Sequence, residues 1–411
     1  MFCTSFRTEV MHYLCQVSNQ EKLLYKKFLP LALGGLGIGT TEFVMMGLLP
    51  DVANDFKITI PEAGYNIASY ALGVVIGAPL LGAMSGRLEP KKVLIGLMTI
   101  FTVFNTLSAF APNNSFLFFA RLFSGLPYGA FFGVGSVVAS RLAEKGKQAQ
   151  AISYMFAGLS IANLLTVPLG TYVGHHFTWR LAFGSVGIIG LITIFAIQFL
   201  LPFIPATKEG NIQSELKAFN RIDTWLVILI TSIGTGGLFC WISYIAPLMT
   251  EVSGFAAVQV PYILIVAGLG MVLGGLVGGK LADKVSPLKA CILLLIAMSI
   301  TLLVIYFVAE NKFLSVIMTF IAGGCAMAIG SPIQILMIRT SKGAEMLGAS
   351  ATQSAFNIGN ALGAFLGGLP IAAGFGYRSP ELVGVAMALI GAGFAVLMLT
   401  RNSRKVVVKL S

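Results

Sequence analysis

VVIGAPLLGAMSGRLEPKK (Val74–Lys92) returns 197 residues later, without a gap, as MVLGGLVGGKLADKVSPLK (Met271–Lys289). Gly77 meets Gly274, Gly82 meets Gly279, Pro90 meets Pro287 and Lys92 meets Lys289. The same offset lays IANLLTVPLG (Ile161–Gly170) over IGNALGAFLG (Ile358–Gly367). It also matches Gly37 with Gly234, Gly39 with Gly236 and Pro50 with Pro247. One offset serving three distant segments marks a chain built from two repeats. In the opening pair, a long apolar run ends in a short loop bearing lysine, the pattern of a helix leaving a membrane.

Composition supports the same solvent. Of 411 residues, 56% are hydrophobic and only 10% charged. Soluble domains are about 25% charged, so too few charges are present here to cover a water-facing surface. The 47 glycines suit helices packed closely in lipid. Disorder, nucleic-acid binding and a disulfide scaffold are excluded. Cys240, Cys291 and Cys325 lie in apolar runs and Cys3 and Cys15 near the N terminus, with no metal-site spacing.

A spanning helix needs about 20 apolar residues. Twelve such stretches are expected, near 28–49, 62–84, 92–111, 116–140, 148–173, 181–203, 223–249, 259–281, 290–309, 313–338, 345–372 and 381–400. The fold class is therefore all-α integral membrane, with twelve transmembrane helices in two pseudo-symmetric six-helix halves. Backbone polar groups in lipid must be satisfied within each segment, which favours helices, and these runs are too long and uniform for barrel strands. The organisation expected is an N-terminal arm over 1–27, halves over 28–203 and 223–400, a linker over 204–222 and a tail over 401–411.

The net charge of +11 is unevenly placed. With both termini cytoplasmic, 22 of the 27 basic residues fall in cytoplasmic segments. Lys57, Arg180, Lys312 and Arg378 fall outside, and Arg121 lies within a span. That asymmetry sets the orientation. A multi-pass plasma (inner) membrane protein is expected, its first span an uncleaved anchor. Parallel repeats of this kind are typical of transporters that rock one half against the other around a midplane site.

The residues that carry chemistry follow from that solvent. Glu42 is the only acidic residue well inside the first span. Intramembrane carboxyls are expensive and usually functional, so Glu42 is a candidate to take up and release a proton. Its structural alternative is an ion pair. Arg121 enters the fourth span at a matching depth, in the pattern Arg121, Gly125, Gly129. Its alternative is snorkelling toward water. Gly158, Pro168 and Gly170 mark the fifth span as a site of close packing and a kink. Asn66, Tyr70, Asn163, Trp241, Tyr244, Gln334, Gln353, Asn357 and Asn360 are polar or aromatic residues within spans and are candidates for the solute cavity. His175 and His176 are expected at the outer surface, in water. No phosphate-binding loop and no H-E-x-x-H occurs, and the spans carry no paired catalytic set, so an enzyme is not expected. No metal and no cofactor are expected; the energy source would be the proton gradient.

Several stretches carry a family resemblance. TEFVMMGLLPDVANDF (Thr41–Phe56), YALGVVIGAPLLG (Tyr70–Gly82), ARLFSGLPYGAFFGVG (Ala120–Gly135) and ANLLTVPLGTYVGHHFTWRLAF (Ala162–Phe183) resemble the major facilitator superfamily. The likeness is to its twelve-helix drug/H+ antiporter branch, with arabinose efflux permease-like members. The resemblance implies proton-coupled efflux of a small molecule, a sugar, nucleoside or drug-like solute, by a protein expected to be monomeric. A sugar or nucleoside uniporter or importer remains the alternative. It assigns Arg121 to a fourth-helix signature associated with proton transfer. It assigns Gly158, Asn163, Pro168 and Gly170 to an antiporter signature, whose usual Gly-Pro pair is here Val167-Pro168. It also implies cytoplasmic gate loops: Arg87 after the second span, and Asp283 and Lys284 after the eighth. The signature's acidic residue is replaced by Gly86 in the first loop. Asp283 is expected to cap the fifth helix near Gln148–Ile152, a bond that Gly86 cannot make to the eleventh.

Overall fold

Apolar runs with prolines and hydroxyl or amide caps at their ends fold as helices where those caps stand. The computed structural model describes residues 26–58, 60–86, 88–206, 221–256 and 259–410, except for the side chains of 50, 60, 61, 261 and 403–410. Twelve of its helices are long and apolar enough to cross a membrane. They are α1 (Lys26–Gly47), α2 (Glu62–Ser85), α3 (Pro90–Ala109), α4 (Asn114–Leu142), α5 (Gln148–His176) and α6 (Trp179–Leu200). The second set is α7 (Ile222–Ser243), α8 (Tyr262–Val285), α9 (Pro287–Val308), α10 (Lys312–Thr340), α11 (Glu345–Ala372) and α12 (Ser379–Asn402). Asn113 caps α4 by accepting from Phe116 N at 2.8 Å, and Asn311 caps α10 by accepting from Leu314 N at 3.1 Å. Pro90 and Pro287 open α3 and α9, where a missing N–H costs nothing.

The ends depart from the sequence reading in three places. α1 stops at Gly47 and a separate short helix, Leu49–Phe56, follows it with Pro50 in its first turn. Proline tolerates a helix start and not its interior. α7 ends at Ser243, ahead of Pro247. The last helix continues beyond residue 400 to Leu410, so the tail is helical as far as that. Residues 1–25 of the expected arm and 207–220 of the expected linker lie outside the described residues.

The two repeats pack alike. α2 lies on α4 as α8 lies on α10, and α3 lies on α6 as α9 lies on α12. Between halves, α5 meets α8 and α2 meets α11, again a matched pair. The glycines that announce the repeat hold these contacts. A Cβ on Gly77 would stand 2.1 Å from Leu126 O, and one on Gly274 would stand 2.0 Å from Gly324 O. Only a residue without a side chain lets the paired helices touch there. Gly77→Val or Gly274→Val should therefore separate its helix pair. An overpacked core typically loses about 1–3 kcal/mol, and backbone atoms cannot move aside as a side chain can. Loss of the monodisperse peak in detergent, or a lower unfolding temperature, would register it; an unchanged profile would contradict the packing.

α4 is mostly buried, whereas α6, α9 and α12 present large apolar side chains outward, among them Phe195, Phe199, Ile300 and Phe307. Such a surface belongs in lipid. With an even number of spans, both described chain ends lie on one face. Arg180 and Trp179 tie the start of α6 to Asp55 on the opposite face. Burial alone would raise the Asp55 pKa, but the bonds from Arg180 and Trp179 outweigh it and the carboxyl titrates below its ordinary value.

Candidate functional site

The centre is a cavity between the halves of about 140 Å³. Its polar lining consists of Glu42 from α1, Tyr128 from α4, Asn163 from α5, and Gln353, Asn357 and Asn360 from α11. Phe43, Phe156, Phe239 and Phe356, with Met271 and Met327, supply most of the remainder. Among the described residues no lysine, arginine or histidine lines it. A pocket with aromatic walls and a few convergent polar groups is the usual form of a small-molecule site.

Glu42 and Tyr128 line the cavity together, and the buried Glu42 Oε2 has no hydrogen-bond partner among the described residues. Arg121 is wholly buried. It lies 4.3 Å over the Tyr70 ring and 5.3 Å from that of Phe183. Arg121 Nη1 donates to Thr41 Oγ1 at 2.7 Å, Thr41 donates to Asn105 Oδ1 at 2.5 Å, and Asn105 Nδ2 donates to Phe101 O at 2.8 Å. Since Thr41 and Glu42 are consecutive on α1, the matched depth read from the sequence is real. The direct pair is not: among the described residues no ion pair joins Arg121 to Glu42. The guanidinium acts on the carboxyl through its field, from a position fixed by Thr41 and the Tyr70 ring. Asn105 and Tyr128 escaped the sequence reading. A polar residue in an apolar helix was the available signal, and it applies to many residues that are only structural.

The nine cavity candidates divide. Asn163, Gln353, Asn357 and Asn360 reach the cavity. Gln334 stands behind it, donating to Ala349 O at 2.9 Å and accepting from Gln353 Nε2 at 3.1 Å. The other four do not line it. Asn66 is a strut between α2 and α4, donating to Asn114 Oδ1 at 2.7 Å. Tyr70 is the platform for Arg121. Trp241 is buried in the C-terminal core against Met298 and Ala388. Tyr244 donates to Ala364 O at 2.7 Å and closes α7 onto α11. Each was read from polarity alone, and polarity does not reveal which way a helix is turned.

The glycines of α4 and α5 pack within the first half. A Cβ on Gly125 would meet Tyr70 O at 2.3 Å, on Gly129 Ala78 Cβ at 2.2 Å, and on Gly158 Ala32 O at 1.9 Å. Gly170 lies against Val44. The close packing expected of these residues is a contact of α2 with α4 and of α1 with α5. Pro168 follows a π-turn over Ala162–Thr166, where the missing donor is absorbed. His175 is not simply solvated: its Nδ1 lies 2.7 Å from Asp51 Oδ2.

On the face of the chain ends, Asp283 spans the halves. Its Oδ1 accepts from Ala149 N at 2.9 Å and its Oδ2 from Gln150 N at 2.8 Å, at the first turn of α5. Arg339 Nη2 adds a bond to Gln148 Oε1 at 3.0 Å. At the related contact, Gly82 and Gly133 admit Ser350 of α11, with no carboxylate involved. Lys284 is exposed, and Arg87 lies outside the described residues.

The Major Facilitator Superfamily model matches residues 31–352. The chain belongs to that superfamily. It is 37% identical over 353 residues to AraJ of Escherichia coli strain K12, covering 86% of this chain and 90% of AraJ. It is 39% identical over 379 residues to the inner membrane transport protein YdhP of Escherichia coli O157:H7, covering 92% and 96%. Among solved structures it resembles FucP in the outward conformation, with a TM-score of 0.75 at 16% identity, over 90% of this chain and 98% of FucP. The proton:xylose symporter XylE gives 0.71 at 15% identity, over 91% and 95%. This superfamily chain is a membrane transporter and not an enzyme.

Proposed function

We propose that the protein exports a small molecule from the cytoplasm in exchange for protons, by alternating access. The observation that carries this is Glu42 on the cavity wall, whose buried carboxyl oxygen Oε2 has no hydrogen-bond partner among the described residues and can take a proton. A solute and a proton that use one carboxyl exclude each other, which is the requirement of exchange. The face of the chain ends is the cytoplasmic one, by the basic asymmetry. The bonds from Asp283 and Arg339 across it close that side, so this conformation opens outward. Movement of the halves breaks those bonds and opens the cavity inward. The protein acts as a monomer in the inner membrane without a bound cofactor.

Among the described residues Glu42 is the one acidic or basic side chain on the cavity wall, which admits neutral or cationic solutes and disfavours anions. Its aromatic and methionine walls suit an amphipathic compound. The four amides favour a second reading, a hydroxyl-rich solute such as a sugar or nucleoside carried by uniport or import. Everted vesicles with an acid interior, tested against a panel of sugars, nucleosides and cationic drugs, separate the readings. Export by exchange predicts uphill accumulation that a protonophore abolishes. Uptake that only equilibrates, indifferent to the protonophore, favours the second.

The orientation has its own check. A periplasm-active reporter fused after residue 212 should give no signal, whereas one fused after residue 176 should give a strong one. The reverse pattern would invert the account.

A further inference from the structure

Glu381 lies outside the site just described. It stands on the first turn of α12, is only 1% exposed, and its Oε2 has no hydrogen-bond partner. Among the described residues no cation pairs with it. Arg378, three residues before it, is bonded to Glu310. From α7 the Cys240 side chain meets α12 at Gly384, one turn beyond Glu381, and its thiol lies 3.7 Å from Met387 Sδ. The Tyr244 hydroxyl, just past the end of α7, donates to Ala364 O. From α11, Gly363 and Gly367 close on Cys240, and from α9 Leu302 closes on Gly384, one turn along α12. An ionised carboxylate buried without a cation, one of its oxygens lacking any donor, costs several kcal/mol. A proton therefore accompanies this side chain into its site. The route to water is short, because Arg378 is 34% exposed.

The same group is joined to the cavity through one helix. Phe239 lines the cavity, and Cys240 is the next residue of α7. Gly363 of α11 packs on both, and α11 carries Asn357 and Asn360. α7 is irregular, with a π-turn over Ile230–Gly234 and a second over Leu248–Val252 just beyond its end. Broken helices of this kind are where transporter halves bend. A movement of α7 and α11 that reshapes the cavity must change what covers Glu381. We propose that Glu381 is a second proton-binding site of the transport cycle, loaded from the open face and emptied when α7 and α11 move. This rests on the reading of Glu42 as the first.

Linkage supplies a test that needs no identified solute. Each proton taken up on a conformational change shifts its equilibrium by about tenfold per pH unit. Spin labels on Tyr172→Cys and Phe375→Cys, both exposed and one in each half, report the outward-open fraction. Cys3, Cys15 and the half-buried Cys325 are replaced by serine in this full chain, and Cys240 and Cys291 are buried. The expected pH dependence in liposomes approaches about a hundredfold per pH unit, for two protons, and about tenfold in Glu381→Gln. Wild-type steepness retained in Glu381→Gln overturns the proposal. A one-proton slope in the parent that vanishes in Glu42→Gln overturns it too, and leaves the proposed function standing. A slope lost in Glu381→Gln but untouched in Glu42→Gln supports Glu381 and sinks the role of Glu42. If Glu381→Gln does not fold, infrared difference spectra decide. Two protonated-carboxyl bands in the parent, of which Glu42→Gln removes one, support a second site, and a single band removed by Glu42→Gln overturns it.

Discussion

Glu42→Gln is expected to end uphill transport while leaving downhill exchange in place. The amide keeps the shape and can still meet Tyr128, but it cannot titrate. Across one pH unit a proton supplies about 1.4 kcal/mol, a tenfold accumulation for each proton exchanged. Without the carboxyl at which solute and proton exclude each other, the solute is no longer tied to the gradient, and accumulation falls to equality. The check is accumulation at steady state in vesicles with an imposed gradient, beside exchange of unlabelled for labelled solute without one. Normal accumulation in Glu42→Gln would place the proton site elsewhere. Arg121→Ala should be as damaging for a different reason. It removes a large buried side chain from between Tyr70, Phe183 and Thr41. A void of that size typically costs about 3–5 kcal/mol. Arg121→Lys should recover folding better than coupling, since an ammonium neither stacks as well nor presents the same fork.

The second large effect is on the resting conformation. Asp283→Asn keeps one acceptor for the α5 N–H groups and loses the charge and the second bond. An anion at a helix N terminus contributes about 0.3–1 kcal/mol, and up to about 2 when partly buried. A loss of about 1–2 kcal/mol changes a two-state ratio by about 5–30-fold. The population should therefore move toward the inward-open form. A cysteine at Gly330, on the cavity wall, should label faster from the cytoplasmic side in Asp283→Asn. Gly86→Asp should slow it, by supplying to α11 the acceptor that this loop lacks. Unchanged labelling in Asp283→Asn would reduce the loop to an orientation signal.

What the sequence made legible follows from the solvent. Lipid forces backbone groups to bond within each segment, so twelve spans could be counted, and the 197-residue offset foretold that α2/α4 and α8/α10 would pair alike. Asp283 was legible through the family resemblance, which sets the loop after the eighth span against the start of the fifth helix. Helix rotation was not legible. Asn66 and Asn163 look equivalent in sequence, yet one braces α2 against α4 and the other faces the cavity. Long-range bonds were equally hidden, since nothing near Arg121 announces Thr41 and Asn105 from two other helices. Nothing in the sequence marked Glu381, two residues into its helix, as a group that packing buries.

The account depends most on proton movement opposite to the solute, through Glu42. It is measured directly by a pH dye inside proteoliposomes when a compound transported from the panel is added outside. The account predicts a pH change of the sign that exchange requires in the parent protein, and none attributable to Glu42 in Glu42→Gln. Transport of the compound by the parent with no pH change at all would contradict it.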